Sequence, residues 1–214
     1  MRKLLFIAVS LTLILVGCSG ESVANDMYQH LEETVEIEKT FVDQQEPFIE
    51  LEQEEQDLYN QIIELSADEM DEITSLSEQA ITTIDDRKEL LQTELESIEA
   101  AEQEFSKVKD YVEDLEEDPK SIANDMIQTM EERYNTYGEL NEAYHASLDQ
   151  DKVLYELFMD EELTEEELRS QIETVNSSYD NVSEINNQFN ELTEQYNQLK
   201  EDFYESAELN VVYE

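Results

Sequence analysis

Residues 168–203, LRSQIETVNSSYDNVSEINNQFNELTEQYNQLKEDF, place Leu, Ile, Val, Tyr, Val, Ile, Phe, Leu, Tyr, Leu and Phe at 168, 172, 175, 179, 182, 185, 189, 192, 196, 199 and 203. Ten steps over 35 residues give a mean spacing of 3.5, the period at which helices wind around one another with a left-handed supercoil. An earlier run repeats it. Positions 73, 77, 80, 84, 87, 91, 95, 98, 101, 105, 108, 112 and 115 cover 42 residues in twelve steps, with Ser77 and Arg87 as polar exceptions. Only three glycines (Gly17, Gly20, Gly138) and two prolines (Pro47, Pro119) punctuate the chain, too few turn residues for a β-rich fold.

The spacing therefore predicts an all-α protein, an elongated antiparallel four-helix up-and-down bundle with left-handed coiled-coil-like packing. Ser66 with Glu69 and Thr164 with Glu167 have the capping-box spacing, in which hydroxyl and carboxylate satisfy backbone N–H groups reciprocally. Asp118-Pro119 reads as an N-cap followed by proline at the first helical position, where a missing N–H is harmless. These starts divide residues 24–208 into helices at about 24–65, 67–117, 119–160 and 164–208. Short connections force neighbours to run antiparallel. Pro47 is expected to kink or interrupt the first helix near Gln45. Five helices, or a three-helix spectrin-like arrangement, are the other layouts compatible with the pattern. No internal repeat of 20–50 residues is apparent, which argues against a solenoid.

The opening residues MRKLLFIAVSLTLILVGCSG have two cations, an apolar core and a small residue, Gly17, before the single cysteine, Cys18. That is the layout of a secretory signal, short for a bilayer span. Leu15-Val16-Gly17-Cys18 resembles the lipobox of bacterial lipoproteins. The resemblance implies cleavage between Gly17 and Cys18 and diacylglycerol on the Cys18 thiol, with acyl chains holding the chain on a membrane. Residues 1–17 are then the signal peptide, 18–23 the lipidated N-terminus and tether, and 209–214 a C-terminal tail. With no second cysteine there is no disulfide, so the exported part stands on packing alone.

Charge narrows the partners. The chain has 57 acidic and 12 basic residues, a formal charge of −45; cleavage before Cys18 removes Arg2 and Lys3 and leaves −47. Such a surface repels nucleic acid, anionic lipid headgroups and teichoic-acid phosphates. Adhesion to a wall then requires a specific patch, free amines on peptide stems, or divalent cations bridging carboxylates to phosphates. A surface this acidic also keeps an exported protein soluble at high salt or high external pH, with no partner involved.

The lipobox together with FVDQQEPFIELEQEEQDLYNQIIEL, RYNTYGELNEAYHASLDQDKVLYELF and EELRSQIETVNSSYDNVSEINNQFNELTEQYNQLKEDFY resembles the cell-wall-binding lipoproteins of low-GC Gram-positive bacteria over residues 15–205. The resemblance implies a helical bundle on the outer face of the cell membrane, associated with peptidoglycan or wall teichoic acid. It supplies no catalytic residues.

The residues themselves offer little catalytic machinery. Glu142-Ala143-Tyr144-His145 is the only Glu-x-x-His sequence, half of what a di-iron bundle requires, and His145 reads as a surface or boundary residue. Asp149-Gln150-Asp151 starts like a calcium loop but lacks the glycine and terminal glutamate. No metal site and no cofactor is expected, beyond the lipid on Cys18 and weak divalent-cation binding. No nucleophile motif is present, and carboxylates paired for glycan cleavage are indistinguishable from a solvated acidic face. The expectation is a non-enzyme.

Candidate binding residues are Tyr134, Tyr137 and Tyr144, in a set that includes Tyr155, Tyr179 and Tyr196, because tyrosine stacks on sugar rings while its hydroxyl bonds outward. The competing reading is core packing. Arg87 and Arg133 fall at seam positions, where a cation needs an acidic partner and fixes helix register; binding of an anionic group is their other role. Two functions follow: a rod-like binding or spacer module that touches wall polymer, or an extracytoplasmic chaperone-like accessory factor for exported or envelope proteins.

Overall fold

A computed structural model describes residues 19–209 and 211. Four long helices account for nearly all of them: α1 Ser19–Glu64, α2 Met70–Phe105, α3 Glu117–Phe158 and α4 Glu165–Ser206. At 1.5 Å per residue they are about 55–70 Å long. The fold is the expected antiparallel all-α bundle. α1 packs along α2, α2 along α3 and α3 along α4, but no α-carbon of α1 comes within 8 Å of one of α4 among the described residues. The fourth seam is closed by side chains only.

Two apolar cores follow the axis. The first joins Met27 and Leu31 to Phe105, Val108, Met126, Met130, Phe189 and Phe203, and holds the start of α1. The second joins Phe48, Leu58 and Ile62 to Ile84, Leu91, Leu148, Tyr155 and Phe158, at the far end. We call these ends proximal and distal.

The helix limits differ from expectation where local chemistry overrides the seam. α2 stops at Phe105, and Ser106–Asp114 tightens into a 3₁₀ helix, whose three residues per turn align Phe105, Val108 and Tyr111. α3 begins at Glu117, with Glu116 rather than Asp118 at its N-cap. Pro119 is thus the third helical residue, still among the N–H positions without an intrahelical acceptor. Pro47 does not interrupt α1, which runs unbroken through it. It is exposed, so the Asp43 carbonyl it leaves without a donor faces solvent. Six residues earlier in the same ladder the Ser97 hydroxyl of α2 joins it, accepting from the Phe41 N–H (3.2 Å) and donating to the Ile37 carbonyl (2.9 Å).

At Thr164 the capping box is complete: its N–H donates to the Glu167 carboxylate (3.0 Å) and its hydroxyl oxygen accepts from the Glu167 N–H (3.3 Å). Ser66 donates to Glu69 from both backbone and hydroxyl and opens a short 3₁₀ turn, Ala67–Glu69, before α2. Past α4 the chain makes a Schellman turn. The Glu208 N–H donates to the Glu205 carbonyl and the Leu209 N–H to that of Tyr204, with Glu208 at φ 54° where glycine is usual. Leu209 and Val211 fold back onto the proximal core, so part of the predicted tail belongs to the bundle; residues 210 and 212–214 lie outside the described residues, as do Gly17 and Cys18.

Candidate functional site

The open seam between α1 and α4 holds two cavities. The proximal one is about 440 Å³. Thr34, Glu38, Phe41, Gln45 and Phe48 of α1 form one wall, and Asn186, Phe189, Asn190, Thr193, Asn197 and Lys200 of α4 the other. Leu91 and Glu94 of α2, with Arg133, Tyr137, Asn141 and Tyr144 of α3, make the floor. Aromatic faces therefore sit beside amides and hydroxyls, the mixture suited to a ligand with apolar faces and polar edges.

Arg133 spans this cavity. Its Nη1 and Nη2 donate to the two oxygens of Glu38 (2.8 and 3.0 Å) and its Nε donates to the Thr193 hydroxyl (2.9 Å). The guanidinium carbon lies 4.8 Å from the Phe189 ring centroid. One residue of α3 thus ties α1 to α4 with every guanidinium nitrogen used. Glu94 is different. It is 4% exposed and has no cation; the Tyr137 hydroxyl (2.9 Å) and the Gln45 amide (2.7 Å) donate to its carboxylate. Burial outweighs those two bonds and pushes its carboxyl up to about 7.

The distal cavity, about 380 Å³, lies between Glu52, Glu55, Gln56 and Tyr59 of α1 and Ile172, Val175, Asn176 and Tyr179 of α4, with Arg87, Asp151, Leu154 and Tyr155 beneath. Arg87 Nη1 donates to Glu55, and its guanidinium stacks on Phe48 at 4.7 Å. Its Nε and Nη2 have no hydrogen-bond partner. Burial, reinforced by Asp151 and only partly offset by Arg87, pushes the Glu55 carboxyl up to about 7. Burial also raises Asp151, although the Tyr179 hydroxyl donates to it (2.5 Å).

The profile of a family described as "Putative cell-wall binding lipoprotein", YkyA, matches residues 22–206. This chain belongs to the YkyA family. It is 36% identical over 203 residues to a protein of Bacillus subtilis (strain 168) named "Uncharacterized lipoprotein YkyA", covering 94% of this chain and 91% of that one. A 1.6 Å crystal structure of a conserved protein of unknown function from Staphylococcus aureus superposes with a TM-score of 0.76 over 84% of this chain and 91% of that chain, at 15% identity. The latter similarity is one of fold.

Against this YkyA-family bundle the candidate residues divide. Tyr137, Tyr144 and Arg133 line the proximal cavity, and Arg87, Tyr155 and Tyr179 the distal one. Tyr134 lines neither. It is 5% exposed and edges onto Phe105 with ring centroids 6.1 Å apart, so it is a core residue. His145 is half-buried, and burial together with Lys88 lowers its pKa. Among the described residues no cluster of three or more His, Cys, Asp or Glu side chains is placed to hold a metal ion. The carboxylates Glu38, Glu55 and Glu94 and the amides Asn186, Asn190 and Asn197 carry no signal in the sequence, where each is one polar residue among many, and Asp151 stands out there only in an incomplete calcium-loop pattern.

Proposed function

We propose that this chain is a membrane-anchored, non-enzymatic envelope protein that binds cell-wall polymer along the α1–α4 seam. The single observation that carries this reading is the proximal cavity, where Phe41, Tyr137, Tyr144 and Phe189 lie beside Gln45, Asn141, Asn186 and Asn190. Rings that stack on sugar faces and amides that bond hydroxyls and peptide groups are what a glycan or stem peptide needs. The family description and the lipobox-like Leu15–Cys18 support a place beside the wall. A hydrolytic role lacks a second free acid, because the other carboxylate of the cavity, Glu38, is locked to Arg133.

A second reading has its own observation. Val35, Val42, Ile49 and Ile63 are 39, 60, 63 and 55% exposed, a heptad row along α1 that fits an accessory factor handling basic polypeptides.

The test is sedimentation of the mature chain with isolated wall, before and after removal of teichoic acid, with and without millimolar magnesium. Binding to stripped wall without metal is expected, and Asn190→Trp, which fills the cavity from its exposed rim, should abolish it. A protein left in the supernatant throughout sinks the reading and favours polypeptide partners.

A further inference from the structure

The distal cavity contains an arrangement that structural packing does not explain. Arg87 is 1% exposed, yet two of its three guanidinium nitrogens, Nε and Nη2, have no partner. These two share the side-on edge of the guanidinium, the edge whose parallel N–H groups match the two oxygens of a carboxylate. Nη1, on the opposite side, is taken by Glu55. An N–H group buried without an acceptor is costly. Two side by side form an unfilled fork.

The cavity does not suit an anion alone. Glu52, Glu55 and Asp151 line it against the single guanidinium, so its own charge is negative whenever the acids are ionised. A ligand that fills the fork must therefore bring a positive charge with its carboxylate. We propose that the distal cavity is a recognition site for an α-amino-acid zwitterion, its carboxylate on the Nε–Nη2 edge of Arg87 and its ammonium against Asp151 and Glu52. Tyr59 and Tyr155 supply apolar faces for whatever the α-carbon carries.

Access is built into the helix that covers the site. Between Glu165 and Asn181, α4 has no buried residue, whereas Val182, Phe189, Tyr196 and Phe203 are buried further along. Tyr179, half-buried, donates its hydroxyl to Asp151 and sets its oxygen beside Arg87, close enough to raise the guanidinium pKa against the effect of burial but without a well-formed hydrogen bond to Nε or Nη2. A ligand carboxylate on the fork takes the place of that oxygen, and a ligand ammonium takes the place of the Tyr179 hydroxyl at Asp151. A weakly held helix start opens at low free energy. The site is distinct from the proximal cavity proposed for wall polymer: it is a different cavity, on different residues.

Calorimetric titration of the full chain in detergent with alanine, N-acetylalanine and alaninamide tests the proposal. Alanine is expected to bind at least tenfold more tightly than either derivative, each of which lacks one charge. Nε-acetyl-lysine carries the same zwitterion on a tail: tighter binding than alanine assigns the site to a polymer-borne zwitterion, equal binding to a free amino acid. Arg87→Lys should abolish binding, and Asp151→Asn, which retains an acceptor for Tyr179, should weaken it about tenfold with the melting profile kept. No binding by alanine or Nε-acetyl-lysine overturns the proposal, as does equal binding of alanine and N-acetylalanine. Asn190→Trp alters only the proximal cavity and Arg87→Lys only the distal one, so loss of wall sedimentation in the first and loss of amino-acid binding in the second let the two readings fail separately.

Discussion

The proximal and distal halves of the α1–α4 seam are built from the same parts and finished differently. Each sets one arginine from a middle helix against a glutamate of α1 and the ring of a phenylalanine. In the proximal half Arg133 uses Nε, Nη1 and Nη2, reaching Glu38, Thr193 and the face of Phe189. In the distal half Arg87 uses Nη1 alone, and no buried residue of α4 covers it. A buried ion pair with all its donors matched holds elements in register, whereas one with spare donors has capacity for something else. The first half reads as a latch and the second as a socket.

The largest expected effect breaks that contrast directly. Arg133→Met leaves Glu38 without its cation and removes the link between α1 and α4, a loss of about 3–5 kcal/mol for one partner of a buried pair. Arg87→Met releases a guanidinium that was only one-third matched, next to a Glu55 whose carboxyl is already pushed up to about 7 and takes a proton readily. It should therefore cost about 1 kcal/mol or less. Urea unfolding of the two variants measures both; equal losses would erase the distinction between latch and socket.

Glu94 comes next, because it lies in the latched half and yet has no cation. Its folded-state carboxyl is raised to about 7 from 4.5, so the protonated form is the one that folding favours. The contribution is fully present below pH 4.5 and is lost as pH rises through 7, about 3 kcal/mol in all at 1.36 kcal/mol per unit. Glu94→Gln should stabilise the bundle at pH 8 by about 1–3 kcal/mol and match the parent at pH 4. Thermal or urea unfolding at the two pH values reads the difference. An equal effect at both would mean that Glu94 is ionised in the fold across the range.

Most of the fold was legible in the sequence, because a 3.5 period sustained over five heptads is buried by long helices packed side by side, although the number of helices rested on the capping signals. The site was legible too, through a stricter rule. Steps alternating strictly between four and three from Ile73 pass through Arg87, Leu91 and Glu94, not Leu95, and it is Glu94 that is buried. From Leu168 the same alternation passes through Asn186, Thr193 and Lys200 in place of Ile185, Leu192 and Leu199, and those three polar residues line the proximal cavity. In α1 it runs from Ala24 through Glu38, Gln45, Glu52 and Glu55 to Ile62. Choosing the apolar neighbour at each doubtful step keeps the mean period and hides the site. Polar residues in a strict seam are where the bundle is not closed by packing. The unmatched edge of Arg87 lies beyond this rule, since only atomic positions tell which nitrogens find partners.

The smallest effects sharpen the comparison within the proximal half, on two tyrosines one turn apart. The Tyr137 hydroxyl donates to Glu94 at 2.9 Å, while the Tyr134 hydroxyl is buried beside a Glu38 carboxylate already paired with Arg133 and makes no well-formed hydrogen bond, and both rings are almost fully covered. Removing one hydroxyl deletes a bond to a buried carboxyl; removing the other deletes a dipole that is at best weakly matched. Tyr137→Phe should therefore cost about 1–2 kcal/mol at pH 8, where Glu94 is ionised, and less at pH 5, where a protonated carboxyl depends less on the donor. Tyr134→Phe should be neutral or stabilising by up to about 1 kcal/mol at either pH. Urea unfolding of both variants at both pH values separates a tyrosine that serves the cavity from one that serves the core. A pH-independent loss for Tyr137→Phe would show that the ring, and not its bond to Glu94, is what the cavity floor requires.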